Sequence, residues 1–458
     1  MTLPASPWRS AVALAATYRD GSADVEDVVR EAIAAARAAN VAFISIDEIR
    51  AVDEARAAAA RWRERRASSA LDGVPVAWKD LFDVAGSVTT AGSALLRERA
   101  PATTDAALVA AGARAGLVSI GKTNLSEFAY SGLGLNPHFG TPFNPAFDST
   151  VEGSGHRVPG GSSSGAAVAV AMGVVPIAAG TDTAGSIRVP AALNGVVGFR
   201  ASRARYPQGG MIGLSKSADT CGPLARSVAD CAAFDAVVRA RAPIAALPGL
   251  RGQRFVVPRG WHARFAVTNA VADNFMRFVA QLARAGASVN EAPVVAFDAA
   301  CDLIRTRGWF GSIEAFDLYR TVLDSADAAR IDARVRTRLE SSRGVPAARL
   351  PELLGQRVRL IAQFGDELRG ATLLLPTVPH AAPECAPLEA DAEHFARVNL
   401  ATLSMTMPGS FLDTPAFAIP TGADPAGLPT SVQLMRAQGG DDALIAVAQA
   451  VETTVAPH

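Results

Sequence analysis

Residues 166–180, AAVAVAMGVVPIAAG, form an uncharged apolar run between two turns that contain glycine and serine. The run is shorter than the roughly 18 apolar residues that a membrane-spanning helix needs, so we expect it to be buried in a folded protein. The turns on either side, GGSSSG at residues 160–165 and TAGS at residues 183–186, are then anchored against a core. A solvated glycine and serine linker between domains would not continue into such a sequence.

The two turns do not have the pattern of a phosphate-binding loop. The GxxxxGK[ST] pattern places a lysine on the phosphates, whereas no lysine or arginine lies between Arg157 and Arg188. In both turns glycine allows the backbone to come close to a ligand, and a serine lies beside backbone N–H groups. This arrangement predicts a serine nucleophile, either Ser162 or Ser186, with N–H donors for an oxyanion.

Lysine is the residue type that stands out as a base for such a serine. The chain has 44 basic residues, and just three of them are lysine: Lys79, Lys122 and Lys216. Burial can lower the pKa of a lysine until it loses its proton, whereas arginine keeps its proton. Lys79 follows the apolar segment VPVAW of a predicted strand; an ordinary salt bridge at a strand end is the alternative. His156 is a second candidate base, or a solvated loop residue.

Strand-like and helix-like segments alternate along the chain. One face of the predicted helix at residues 25–36 is apolar, and it consists of Val25, Val28, Val29, Ala32, Ile33 and Ala36. An arginine-rich helix is predicted at about residues 51–67, and further strand–helix pairs follow. The alternation predicts an α/β protein with a large mixed, mainly parallel sheet that helices cover on both faces.

Charge and cysteine content narrow the functional classes. Acidic and basic residues balance at 44 each, so we expect neither nucleic acid nor a membrane surface as a partner. The four cysteines show no CxxC spacing; this argues against a zinc site or a disulfide framework and fits a reducing cytoplasm. An N-terminal apolar patch of six residues is too short for a signal sequence. We therefore expect a cytoplasmic protein.

Six segments of the chain resemble motifs of the amidase signature family of serine hydrolases. They are GVPVAWKDLFDVAGSVTTAGS, GKTNLSEFAYSG, GTPFNP, VPGGSSSGAAVAVA, GTDTAGSIRVPAALNGVVGF and GPLARSVAD. The resemblance continues to the C-terminal residues, so it implies the amidase signature fold over residues 1–458 as a single amidase domain. The N-terminal helices, about residues 1–70, are expected to dock on the α/β core.

The resemblance implies a catalytic unit of the type Ser–cis-Ser–Lys. Matched position by position, Ser186 corresponds to the nucleophile, Ser162 to the bridging serine and Lys79 to the base. The peptide bond Gly161–Ser162 is expected to be cis. The backbone N–H groups expected to hold the oxyanion belong to Thr183, Ala184, Gly185 and Ser186. Ala184 stands where the family usually has glycine, but an alanine still offers its N–H.

Residues near the two turns are expected to support this unit, and for each a plain structural role is the alternative. They are Ser163, Thr181, Asp182 and Arg188. Substrate specificity is expected to depend on residues 125–140 and 300–400. Within the second range, four side chains are candidates to bind a carboxylate or an aromatic ring, with helix packing as the alternative: Arg305, Arg307, Trp309 and Tyr319.

The activity that the resemblance implies is hydrolysis of the carbon–nitrogen bond of a small-molecule amide through a serine acyl-enzyme, with release of ammonia or an amine. This reaction requires no metal and no organic cofactor. One alternative is the A subunit of a glutamyl-tRNA amidotransferase, which needs a partner subunit. Another is a catalytically silent amide-binding protein, which the intact serine and lysine positions disfavour. A homodimer is an assembly that many family members form.

Overall fold

The computed structural model describes residues 10–146 and 155–455; the remaining ends of the predicted domain and residues 147–154 lie outside this description. Within it, eleven strands form one sheet. The strands are β1 (Phe43–Ile46), β2 (Pro75–Lys79), β3 (Val118–Thr123), β4 (Ile177–Asp182), β5 (Val197–Arg200), β6 (Thr220–Ala225), β7 (Arg254–Pro258), β8 (Ser288–Ala292), β9 (Thr372–Pro376), β10 (Ala416–Ala423) and β11 (Pro429–Met435).

Helices fill most of the intervals between the strands. In the described ranges they are α1 (Ala11–Asp20), α2 (Val25–Ala38), α3 (Glu48–Arg63), α4 (Ala107–Arg114), α5 (Ser164–Ala171), α6 (Arg188–Asn194), α7 (Val228–Val238), α8 (Trp261–Arg264), α9 (Asn269–Arg284), α10 (Val295–Arg307), α11 (Phe310–Leu323), α12 (Ala333–Glu340), α13 (Arg349–Leu368), α14 (Cys385–Ala390), α15 (Ala392–Leu403), α16 (Met407–Phe411) and α17 (Asp441–Thr454).

The sheet is mixed, and its strand order is β1-β3-β2-β4-β6-β5-β10-β11-β9-β7-β8. Of the ten pairs of neighbours in the described residues, β3/β2, β2/β4, β9/β7 and β7/β8 are parallel, and the other six are antiparallel. The predicted mixed α/β sheet is confirmed, but the expectation that it is mainly parallel is wrong. The short connection between β10 and β11 permits only an antiparallel pair.

Helices cover both faces of the central strands. Every residue of β2, β3, β4, β6 and β9 is buried, although successive side chains of a strand point to opposite faces. The apolar face predicted for residues 25–36 is the buried face of α2. In the part of the chain that the structure describes, no helix combines the length and apolar content needed to cross a membrane.

The parallel pair β2/β4 brings two polar strand ends together. Trp78 pairs with Ala179. The next residue of β2, Lys79, and the residues that follow Ala179 in β4 therefore lie side by side at the carboxyl ends of the two strands. The serine-rich segment leads directly into α5, which packs on β2, β3 and β4. The fold therefore collects the two serine turns and Lys79 in one place.

β3 approaches β1 so closely that Gly121 has no room for a side chain. A Cβ atom on Gly121 would lie 2.2 Å from the carbonyl oxygen of Ser45. We predict that Gly121→Ala lowers the free energy of unfolding by about 1–3 kcal/mol, because the backbone must shift. Gly249→Ala is the matched control: its Cβ would meet nothing within 4 Å, and its effect should stay within about 0.5 kcal/mol. Denaturant unfolding measures both, and equal losses would contradict the prediction.

Candidate active site

Lys79, the last residue of β2, is completely buried. Its Nζ donates hydrogen bonds to Ser162 Oγ and to Thr181 Oγ1, each at 2.7 Å. Loss of hydration lowers the pKa of the Lys79 amine from its ordinary value of 10.5 to about 7, although the negative charges of Asp182 and Asp219 oppose this shift. A neutral amine at this position can therefore accept a proton near neutral pH.

The serine-rich turn is held against the turn that carries Ser186. The peptide bond Gly161–Ser162 is cis, as expected. A Cβ atom on Gly161 would lie 2.6 Å from the carbonyl oxygen of Ser131, so this position accepts no larger residue. The N–H of Ser163 donates to the carbonyl oxygen of Ser186 at 3.2 Å. This bond joins the two predicted turns directly.

Ser186 lies between β4 and α6 and is 5% exposed. It lines a narrow pocket together with Thr183 and Ala184. Gly185 has φ +139°, and a Cβ there would lie 2.2 Å from Thr406 Oγ1. Within residues 10–146 and 155–455, no protein acceptor is found for the backbone N–H groups of Ala184, Gly185 and Ser186. These groups can therefore bind a ligand oxygen.

Two fully buried charged residues, Asp182 and Arg188, brace this turn. Arg188 Nε donates to Asp182 Oδ2 at 3.0 Å, and Nη2 donates to Oδ1 at 3.1 Å. Arg188 also donates to Gln433 Oε1 and to Ser410 Oγ, at 3.0 and 2.7 Å. Burial alone would raise the pKa of the Asp182 carboxyl, but the charge of Arg188 brings it below its ordinary value. Asp182 is therefore an anion, and its carboxylate holds the turn through Arg188.

Thr181 and Ser163, two of the residues expected to support the catalytic unit, lie near Lys79. Thr181 Oγ1 accepts one of the two Lys79 hydrogen bonds, and Ser163 Oγ donates to the Thr181 carbonyl oxygen at 3.3 Å. Gly180 permits this approach, since a Cβ there would lie 2.7 Å from Ser163 Oγ. The hydroxyl groups around the amine are thus packed with almost no free space.

Sequence reasoning missed two residues that hold the turn from other parts of the chain. Asp219 accepts from Thr183 Oγ1 at 2.6 Å and from the N–H of Leu214 at 2.7 Å. Thr406 Oγ1 donates to the carbonyl oxygen of Ala184 at 2.6 Å. Asp219 directly precedes a buried strand, which was the one available signal; nothing in the sequence around Thr406 indicated its partner.

The wall of the pocket includes residues from several elements. They are Ala129, Tyr130, Ser131, Leu214, Trp309, Gly311, Arg338 and Leu403. Of the four specificity candidates, Trp309 lines this pocket. Tyr319 packs against Phe128 with 4.2 Å between ring centres, whereas Arg305 and Arg307 are exposed. Arg338, which the sequence analysis did not name, brings a guanidinium group to the pocket.

A second buried lysine shows what distinguishes Lys79. Lys122 Nζ lies 2.5 Å from Asp80 Oδ1 and donates to Thr89 Oγ1 at 2.7 Å. Burial lowers the pKa of Lys122 as well, but there a directly paired carboxylate opposes the shift. Among the described ion pairs none involves Lys79.

The described residues contain no group of three or more histidine, cysteine, aspartate or glutamate side chains that could hold a metal ion.

Comparisons with known proteins place the chain in one family. The family model described as Amidase matches residues 27–445. The chain is 35% identical to 2-amino-5-chloromuconic acid deaminase of Comamonas testosteroni, over 84% of this chain and 82% of that protein. It is 33% identical to the A subunit of the glutamyl-tRNA(Gln) amidotransferase of Acidothermus cellulolyticus, over 97% and 94%. A crystal structure of an amidase superposes with a TM-score of 0.84 at 29% identity, covering 97% of this chain and 100% of that one.

The buried amine of Lys79 makes stability depend on pH. Between about pH 7 and 10.5 the lysine is neutral in the folded chain but protonated in the unfolded chain, so the folded state gains stability as the pH rises. We predict that, relative to Lys79→Met, the wild type gains about 1.4 kcal/mol of unfolding free energy per pH unit between pH 7 and 9. Denaturant unfolding at several pH values measures this slope. The exposed Lys216 provides the control, because Lys216→Met should run parallel to the wild type; a flat difference for Lys79→Met would contradict the prediction.

Proposed function

The chain belongs to the amidase family, and from this premise we propose that it hydrolyses the amide bond of a small molecule through a serine acyl-enzyme. Members of this family are amidohydrolases. In the proposal Ser186 is the nucleophile, Ser162 the bridging serine and Lys79 the base. The observation that carries it is the 2.7 Å hydrogen bond between Lys79 Nζ and Ser162 Oγ, made by an amine whose pKa burial has lowered to about 7.

Acylation begins with proton transfer along this relay. Neutral Lys79 takes the proton of Ser162 while Ser162 takes the proton of Ser186, and the Ser186 oxygen attacks the amide carbonyl carbon. The carbonyl oxygen becomes an oxyanion, which preorganised N–H groups stabilise without reorganisation. The N–H donors assigned to it are those of Thr183, Ala184, Gly185 and Ser186.

Breakdown of the tetrahedral intermediate uses the same groups in the reverse direction. Protonated Lys79 returns its proton through Ser162 to the leaving nitrogen, the carbon–nitrogen bond breaks, and ammonia or an amine departs. Water then gives a proton to the relay and attacks the Ser186 ester, which releases the acid and restores the free serine. The proposed steps require no cofactor.

Four further residues have positioning roles in this scheme. Thr181 and Ser163 hold the Lys79 amine and the serine loop in place. The Asp182–Arg188 pair fixes the turn that carries Ser186, so that its N–H groups keep their direction during the reaction. Rigid donors contribute more to transition-state stabilisation than donors that must first reorient.

The pocket supports a small substrate with a negative charge. The pocket beside Ser186 is narrow, which favours a small molecule as the substrate. Arg338 lines it, and no carboxylate is paired with this guanidinium among the described residues. The similarity to a deaminase of a muconic acid also favours an acidic substrate. An amide that carries a carboxylate fits these features.

The second candidate is the A subunit of a glutamyl-tRNA amidotransferase, because the chain aligns with 94% of such a protein. In that case ammonia release from glutamine would depend on a partner subunit. The third class, a silent amide-binding protein, has no observation in its favour. One domain over residues 1–458, a homodimer and a cytoplasmic location stay predictions.

We predict that the purified chain alone releases ammonia from carboxylate-bearing amides such as succinamic or maleamic acid. Ser186→Ala should lower kcat by about 10³-fold or more, and Ser162→Ala by about 10²- to 10⁴-fold. Ser164→Ala is the control from the same loop, since Ser164 Oγ contacts the Asn124 carbonyl oxygen at 3.5 Å and has no part in the relay.

Ammonia release should be assayed with these acids, glutamine, biuret and butyramide as the panel. A full rate in Ser186→Ala would overturn the proposed nucleophile. Activity on glutamine alone, and only after a partner subunit is added, would favour the amidotransferase.

The rate should follow the protonation of Lys79. Below pH 7 the amine is increasingly protonated and cannot accept a proton, so kcat/KM should rise about tenfold per pH unit and level off above about pH 7. The pKa of about 7 places the midpoint of this limb. Initial rates from pH 5 to 9 measure it. Lys79→Arg should be inactive over the whole range, since arginine does not deprotonate; a flat wild-type profile would refute Lys79 as the base.

A further inference from the structure

Tyr130 has a buried hydroxyl group that the proposed mechanism does not use. The residue lines the Ser186 pocket and is 3% exposed. Its Oη has no hydrogen-bond partner among the protein groups that the structure describes. Buried polar groups in native proteins are nearly always paired, and an exception calls for an explanation.

Neighbouring residues hold the Tyr130 backbone and ring in place. Arg338 Nη1 donates to the Tyr130 carbonyl oxygen at 3.0 Å, and the Arg338 Cζ lies 4.3 Å from the centre of the tyrosine ring. The next residues are held as well, because Ser131 Oγ and the N–H of Gly132 both donate to Asn399 Oδ1, at 3.2 and 2.8 Å.

The backbone on the other side of Tyr130 adopts a conformation that side chains disfavour. Phe128 and Ala129 have φ values of +53° and +60°, in the left-handed region that non-glycine residues seldom occupy. Phe128 is anchored there by its stacking on Tyr319. Backbone, carbonyl oxygen and ring of Tyr130 are thus all held by protein contacts, whereas its hydroxyl alone has none.

We infer that Tyr130 is a specificity residue whose Oη donates a hydrogen bond to a substrate oxygen other than the carbonyl oxygen of the scissile amide. The inference rests on the proposed function, since the substrate is the amide that Ser186 attacks. A phenolic hydroxyl can donate one hydrogen bond and can also accept one, and we assign it the donor role because its neighbour, the Arg338 guanidinium, attracts an anionic acceptor. The guanidinium of Arg338 beside the ring favours an acceptor with negative charge, which is a carboxylate.

This arrangement makes a sharp distinction between two kinds of amide. A substrate with the acceptor satisfies the buried hydroxyl, whereas a substrate without it leaves the hydroxyl unpaired. Sites built to hydrogen-bond a substrate group discriminate strongly against analogues that lack it. Tyr130 should therefore affect the recognition of acidic amides and have little effect on neutral ones.

The test compares Tyr130→Phe with the wild type on succinamic acid and on butyramide, which differ in the carboxylate. The substitution removes the hydroxyl and keeps the ring. We expect kcat/KM for succinamic acid to fall about 10- to 100-fold, mainly through a higher KM, while kcat/KM for butyramide stays within about threefold. Tyr18→Phe is the matched control, because the Tyr18 hydroxyl is also buried and unpartnered but lies on α1, outside the pocket.

Tyr18→Phe should leave both substrates unchanged, and each phenylalanine variant should unfold at the wild-type temperature or above it. Equal losses on both substrates in Tyr130→Phe would mean a structural role and would overturn the inference, as would no loss on either. A wild-type activity that Ser186→Ala abolishes would still support the proposed function, so the two failures are distinguishable.

A second measurement keeps the inference testable without turnover. Calorimetric binding of succinamic acid is compared between Ser186→Ala and the double variant Ser186→Ala/Tyr130→Phe. Binding that is about tenfold weaker or more in the double variant supports the role of the hydroxyl. Equal affinities, or no measurable binding by either protein, overturn it.

Discussion

The contact of a buried amine with two hydroxyl groups is the interaction on which the rest of the site depends. Lys79 Nζ reaches Ser162 and Thr181 at 2.7 Å because the residues around it are small. Glycines at positions 161 and 180 lie where any side chain would collide with the neighbouring turn. The apolar run that adjoins the serine turns therefore has a clear physical role. Its small side chains allow β2, β4 and the serine loop to approach closely enough to exclude water from the amine.

Loss of hydration favours the neutral form of Lys79, but a carboxylate paired with the amine would oppose this effect. Each nearby carboxylate forms its hydrogen bonds with other groups. Asp182 binds Arg188, and Asp219 binds Thr183 and the N–H of Leu214. A direct ion pair, such as the one between Lys122 and Asp80, favours the protonated amine and opposes the effect of burial on its pKa. That Lys79 Nζ is bound to hydroxyl groups and not to a carboxylate among the described residues thus matters as much as the burial itself.

The sequence allowed the parts of this site that depend on local pattern to be predicted. The apolar face of α2, the strand that ends at Lys79 and the two serine turns all follow from residue spacing. Pairings between distant segments could not be read in that way. The antiparallel pairing of β5 with β10, the bond from Thr406 to Ala184 and the position of Arg338 against Tyr130 join residues more than 200 positions apart, and tertiary packing alone selects such partners. The catalytic roles themselves stay predictions.

The position of β10 and β11 between β5 and β9 has a consequence for synthesis of the chain on the ribosome. The sheet has one half built from β1 to β6 and another from β7 to β9, and the last two strands are the bridge between them. Until these strands emerge, each half exposes an unpaired edge, β5 on one side and β9 on the other, and such edges favour aggregation. Thr406, which braces the turn of Ser186, precedes the same C-terminal hairpin. A nascent chain therefore lacks part of the support of the Ser186 turn, and depends on protection of its edges, until almost all of it has been made.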